Sequence, residues 1–283
     1  MNSSLLAMFG RELSTFRNLP ALVALIFLAI ISLLAIFAPL LPIADPLAID
    51  TLNILSGPTS LHPLGTDELG RDILSRILHG GRISLGVATS AVLLAGVLGT
   101  IAGICIAFLG PKLEAMSMRV IDVFVSMPEI FVALVALALL GGNLATLVLT
   151  IGLIYCPQFA RVVYNVTRSI RERDHVMAAR SLGAGRLWLI RHEALPNLLS
   201  IIAVQASVTF SFAMLLEAGL SFLGLGVQPP TPSWGQMVGL LKNYIFVNPW
   251  PVVFPGLALF FVVLAINVVG DFLQDVLNPE LHK

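Results

Sequence analysis

Charged side chains are scarce: Asp, Glu, Lys and Arg make up only 11% of the 283 residues, while 57% are apolar and the mean hydropathy is +0.95. A soluble domain needs about a quarter of its residues charged, so this composition excludes one and describes a polytopic membrane protein. Sixteen basic residues balance sixteen acidic ones, and the zero net charge removes the electrostatic basis for nucleic-acid binding. The two cysteines, Cys105 and Cys156, lie in separate apolar runs without CxxC spacing; they read as small hydrophobes and leave the redox compartment open. His62, His79, His175, His192 and His282 form no pair at helical spacing with acidic company, so no bound metal is expected. There is no GxxxxGK[ST] phosphate cradle, and Gly224 with Gly226 lacks the third glycine of a dinucleotide site. The chain therefore carries no cofactor of its own and no machinery to hydrolyse ATP.

What is present is long apolar runs. No charge occurs in residues 18–44, 83–111, 130–160, 194–216 or 243–270, and a helical span needs about 20 apolar residues. The third window is broken by Gly141-Gly142-Asn143, and its apolar character extends back through Glu129 and Asp122, so it holds two spans. Six transmembrane helices are predicted, over 20–42, 84–109, 120–140, 145–163, 199–221 and 252–273. The first follows Arg11 and Arg17 and is too long for a signal-peptide core, which makes it an uncleaved anchor. With both termini cytoplasmic, twelve basic residues lie inside and four (Arg71, Arg76, Arg82, Lys242) outside, as the positive-inside rule demands. The chain divides into a tail and first span (1–45), an extracytoplasmic loop (46–83), a five-span core (84–275) containing a cytoplasmic loop (164–198), and a short tail (276–283).

The outer loop contains an amphipathic pattern. Leu69, Ile73 and Ile77 share one stripe, Thr66 is a candidate N-cap and Gly80-Gly81 a terminator, which predicts a helix lying on the outer leaflet or packed on the protein's own outer face. In the second span Gly86, Ala91, Ala95, Gly99 and Gly103 recur at packing distance. Pro229-Pro230-Thr231-Pro232 forms a stiff outer turn before Trp234, and Trp250 between Pro249 and Pro251 marks the outer interface. Three acids are costly where they stand: Asp122, which Arg119 can neutralise locally; Glu129, which can line a watery path or cap a partner helix; and Glu217, which can pair structurally or contact substrate or a second subunit.

The cytoplasmic loop is the densest feature. Seven arginines (Arg161, Arg168, Arg171, Arg173, Arg180, Arg186, Arg191) surround Ala178-Ala179 and Gly183-Ala184-Gly185. Asp174 is placed to cap a helix over 175–182 that Gly183 ends, and a second helix from Arg186 is expected to stop at Pro196. Ala178 and Ala179 let another backbone approach, Leu182 offers an apolar knob, and flanking arginines can meet carboxylates. The alternative is an ordinary solvated loop whose arginines only enforce sidedness.

Ala178, Ala179, Gly183, Leu195 and Pro196 fit the E-A-A, three residues, Gly, Leu-Pro spacing of the permease subunits of bacterial ABC importers, which this chain resembles. The strings HPLGTDELGRDILSRILHGGRISL (His62 to Leu85), SFLGLGVQPPTPSWG (Ser221 to Gly235) and FPGLALF (Phe254 to Phe260) narrow the resemblance to the second permease of the dipeptide, oligopeptide and nickel uptake family. That resemblance implies an all-α type I importer permease in the bacterial inner membrane, paired with a homologous second permease. It also implies two ABC ATPase subunits that bind ATP and Mg, and an extracytoplasmic solute-binding protein. Peptides are the implied cargo, with nickel or a metal chelate, glutathione or another small polar solute as alternatives. The docking loop then comprises Asp174, Met177, Ala178, Ala179, Arg180, Leu182, Gly183, Arg186, Leu195 and Pro196. Met177 departs from the family's Glu, which removes any polar role at that position. A stand-alone secondary transporter would show internal repeats, and the two halves show none.

Overall fold

The computed structural model describes residues 19–277, whose regular structure is helical, with a single isolated bridge, Thr66 to Asp72, as its only β pairing. Helix α1 (Leu19–Phe37, extended by a 3-10 turn, Ala38–Leu40) is followed by a loop, then α2 (Ile73–Ala107), α3 (Pro111–Ser126), α4 (Glu129–Leu140) and α5 (Leu144–Arg171). After these come α6 (Asp174–Ser181), α7 (Arg186–Leu189), a π-helical turn (Ile190–Ala194), α8 (Leu195–Phe222), α9 (Trp234–Leu241) and α10 (Trp250–Leu277). Five of the long helices are apolar enough to span a bilayer, and α3 with α4 forms a sixth, bent span. Arg11, Arg17, His282, Lys283 and both tails lie outside the described residues.

The core is the α2–α5 seam. A Cβ on Gly99 would lie 2.4 Å from the Phe159 Cβ and 2.7 Å from the Cys156 carbonyl, and one on Gly103 only 2.6 Å from the Ala160 carbonyl. With Ala91 and Ala95 buried on the same stripe, the small residues let two long helices touch backbone to backbone. Gly86 has nothing near it and takes no part. Helices α8, α10 and α1 complete the bundle, with Leu147, Ile151, Met214, Leu220 and Val262 fully buried between them.

Three predicted boundaries are corrected. The outer amphipathic helix does not exist as a separate element over 66–81: the helix starts at Ile73, capped by Asp72, whose carboxylate accepts from the Ser75 N–H at 2.7 Å, and continues through Gly80-Gly81 into the second span. Those glycines end nothing, because they make room for the Trp234 ring, 2.8 Å from where a Gly81 Cβ would sit. The third span is not one straight helix over 120–140. It breaks at Met127-Pro128 and turns through 86°, because a residue preceding proline is pushed out of the α region, and Met127 is extended at ψ 135. Finally, Pro196 does not stop the helix that begins at Arg186. The π turn widens the coil so that the Leu195 N–H reaches the Ile190 carbonyl, and the chain continues helically to Phe222 with Pro196 in the first turn of α8, where its missing N–H is harmless.

Candidate functional site

The loop between α5 and α8 is short, stiff and exposed. Helix α6 ends in a full left-handed cap: Leu182 N–H bonds to the Ala178 carbonyl, Gly183 to Arg180 at 3.0 Å and Ala184 back to Ala179 at 3.0 Å. Gly183 takes φ +96 with open space around its Cβ position, so its role is conformational. Asp174 is the first residue of α6 and not its cap; Arg173 holds the cap position without a side-chain bond, and Asp174 acts only through the helix dipole.

Beneath the loop lies a small core of its own. Val176, Leu189 and Ile170 are buried together, with Ala179 and Ala184 packed against them. Ala179 therefore faces inward, whereas Ala178 is exposed. His175 Nε2 lies 3.3 Å from Glu193 Oε2, tying α6 to the π turn, and Trp188 stacks on His192 with ring centroids 4.8 Å apart. The loop's surface carries apolar residues that are exposed among the described residues: Leu182 is 90% exposed, Leu187 79% and Met177 50%. Leu187 and Trp188 were not singled out by sequence; the π turn that presents them follows no simple periodicity.

The seven arginines divide by function. Arg161 pairs with Asp122; Arg168 reaches Glu172 at 3.2 Å and Glu114 at 3.7 Å; Arg171 lies 3.9 Å from Glu114 and donates to the Ala107 carbonyl. Arg173, Arg180, Arg186 and Arg191 are exposed and enter no ion pair among the described residues. Leu195 and Pro196 are exposed where the loop re-enters the bundle. Beside them a cavity of about 600 Å³ opens between α5, α8 and α10, with Arg173, Asn197, Ser200, Gln205 and Gln274 among its lining residues. Amides on membrane helices are costly against lipid and imply water or a polar solute.

The three singled-out acids are each engaged within the chain. Asp122 pairs with Arg161 and not with the expected Arg119. Glu129, in the first turn of α4, accepts from Tyr155 Oη at 2.6 Å and Gln158 Nε2 at 3.0 Å. Glu217 is wholly buried on α8, accepts from Ser221 Oγ at 2.7 Å and is faced by the Ser84 and Ser233 hydroxyls. The same corner holds Trp234, whose indole donates to the Ile77 carbonyl at 2.8 Å and whose backbone N–H donates to Ser84 Oγ at 3.2 Å.

On the opposite end, the His62 to Leu85 string proves to be a clamp. Asp67 is fully buried and accepts from the Leu69 and Arg71 backbone N–H groups and from Arg71 Nε, with Arg76 Nε 3.2 Å away. Ser75 and Arg76 donate to the Ala44 and Pro46 carbonyls, and Gly70 at φ +75 lies so close to Asp50 that no Cβ fits. Asn248 joins the second outer loop through the Leu55 and Ser56 carbonyls. Burial, and then the neighbouring Asp67, pushes the Glu68 carboxyl above its ordinary range. Sequence reasoning treated this string as an amphipathic face and missed the buried charges.

A bundle of long apolar helices joined by an exposed two-helix loop with an apolar and basic face defines the class: a multi-pass membrane protein. The chain belongs to the family described as the binding-protein-dependent transport system inner membrane component, which matches residues 95–283. It is 39% identical to the dipeptide transport system permease protein DppC of Alkalihalophilus pseudofirmus, covering 94% of this chain and 88% of that one. It is 38% identical to the di/tripeptide transport system permease protein DppC of Pseudomonas aeruginosa, covering 94% and 90%. Among solved structures, the inward-facing MetNI methionine ABC transporter shares the fold at 20% identity, with a TM-score of 0.60 over 72% of this chain and 97% of that one. An amino acid ABC transporter matches at 16% identity and a TM-score of 0.53, over 71% and 94%. The protein is thus a multi-pass permease subunit of type I ABC importer fold, a kind of subunit that works with ATPase and binding-protein partners.

Proposed function

We propose that this chain forms half of the translocation pathway of an ATP-driven importer for di- and oligopeptides, the other half being a homologous permease. The single observation that carries the reading is the docking loop. Met177, Ala178, Leu182, Leu187 and Trp188 present an exposed apolar surface, flanked by Arg173, Arg180, Arg186 and Arg191, on an element that continues helically into α8. The names of the related permeases support peptides as the cargo.

The mechanism follows from stiffness. Two ATPase subunits bind ATP and Mg and close on it; one of them holds α6 and α7 in a cleft. The arginines meet its carboxylates with fixed fork geometry, and the apolar side chains fill its floor. Closure displaces the loop as one piece, because the left-handed cap at Gly183, the buried Val176 and Leu189, and the His175–Glu193 contact hold its two helices together. Helices α5 and α8 leave the loop at either end and reorient with it. The opposite, outer end receives solute from the binding protein, with both termini of this chain in the cytoplasm. The polar cavity beside Pro196 gives a released peptide hydrogen-bonding company near the inner exit.

Reconstitution tests the reading. Proteoliposomes holding this chain, its homologous permease and both ATPases should take up a labelled dipeptide when ATP and binding protein are supplied. The chain alone with a proton gradient should take up none; uptake under those conditions would contradict the proposal in favour of a secondary carrier.

A further inference from the structure

The bent span is fastened to the rest of the chain in an unusual way. Helices α3 and α4 pack chiefly on α5, and the opposite side of the pair, with Val123, Phe124, Phe131 and Val135, is exposed. The pair is bounded by Gly110 and Gly141, whose surroundings are open, and is interrupted at Pro128. Three carboxylates face α5 along its length. Glu114 receives the Tyr164 hydroxyl at 2.6 Å and lies beside Arg168 and Arg171; Asp122 receives Arg161; Glu129 receives Tyr155 and Gln158. As the acids ascend from 114 to 129, their partners descend from 171 to 155, so the register is antiparallel. The donors recur every three or four residues along α5, which places them on one helix face.

Apolar packing between membrane helices is non-directional and lets them slide, whereas charged hydrogen bonds fix both register and distance; the Glu114 rung is buried, the Glu129 rung half-buried and the Asp122–Arg161 rung exposed. Only Glu172 and Arg173 separate α5 from α6. Building on the docking reading above, we propose that these carboxylates form a three-rung ladder that makes the bent α3–α4 arm follow α5, so that displacement of the loop is passed to a third span outside the loop itself. Glu114, Asp122 and Glu129 are positioning residues in this scheme. They act through α5 and contact neither cargo nor nucleotide.

The test separates ATP turnover from import in the reconstituted four-subunit assembly with binding protein. Asp122→Arg and Arg161→Asp singly should leave ATP hydrolysis within about twofold of the parent but lower peptide imported per ATP about threefold, the scale of one exposed ion pair. The double exchange, which rebuilds the rung with its polarity reversed, should recover coupling. Equal falls in hydrolysis and import in the single variants, or no recovery in the double, would overturn the ladder. A second measurement does not depend on how well the variants fold. With Cys105 and Cys156 replaced by Ser, spin labels at Phe131→Cys and Leu153→Cys should keep one separation with and without ATP. A separation that changes on ATP binding would show that the arm moves independently of α5 and would overturn the proposal. Absence of import by the parent assembly would instead strike the functional reading on which the ladder rests.

Discussion

Single positions in the docking loop have distinct duties, and their variants should fail in distinct ways. Ala178 is exposed and Ala179 is turned into the loop's own core, so Ala178→Arg is the cleaner probe of the partner surface. It should leave expression and thermal stability unchanged and reduce ATP-driven uptake to background. Normal uptake by the stable variant would show that nothing docks at Ala178. Gly183→Ala places a Cβ at φ +96 without any steric neighbour, so its cost is purely conformational, about 1 kcal/mol. Melting temperature of the purified protein should fall by only a few degrees, while coupling should suffer more, because the angle between α6 and α7 is what Gly183 fixes. At this scale the sequence was most legible: Gly183 announced its left-handed turn by residue type alone. Asp174 misled, because an acid in the first turn and an acid at the cap look alike without the backbone angles.

Elements were legible where hydrophobic runs were long and less so where prolines and glycines sat among them. The five straight spans follow from charge-free windows, but Gly80-Gly81 reads as a stop until Trp234, some 150 positions away, is seen against it. Pro196 likewise reads as a terminator, and only the π turn before it explains why the helix survives. The α2–α5 seam makes a direct prediction: Gly99→Leu drives a side chain into Phe159 and the Cys156 carbonyl, and overpacking of this kind costs about 2 kcal/mol. The detergent-solubilised variant should unfold several degrees below the parent; an unchanged midpoint would mean that α2 and α5 do not meet there. The outer clamp makes another. The Glu68 carboxyl is raised by burial and by Asp67, so between its ordinary value and its raised one the folded loop holds a proton that the unfolded loop has lost. Its contribution to stability is therefore present at low pH and declines as pH rises through that window. Glu68→Gln should remove that part of the decline, as read by protease resistance of the outer loop against pH. An unaltered profile would assign the dependence to other groups.

For the whole molecule, one chain of contacts accounts for the design. A charged clamp fixes one end of the bundle, a glycine-lined seam fixes the centre, and at the other end a loop with its own small core projects apolar and basic groups past the bundle. The glycine bend of the loop was legible from residue spacing. Asp122 and Glu129 stood out as costly acids, but Glu114 and the partners of all three did not, since those partners lie 26 to 50 residues away and only the antiparallel packing of two helices brings them together. The central claim, that the loop grips an ATPase inside the cell, is tested most directly by a photo-crosslinking residue at position Leu182, which is 90% exposed. In cells containing the complete transporter, the account predicts a covalent adduct with the ATPase subunit. Adducts with lipid or outer proteins alone, or labelling of Leu182→Cys by a membrane-impermeant thiol reagent added outside, would contradict it.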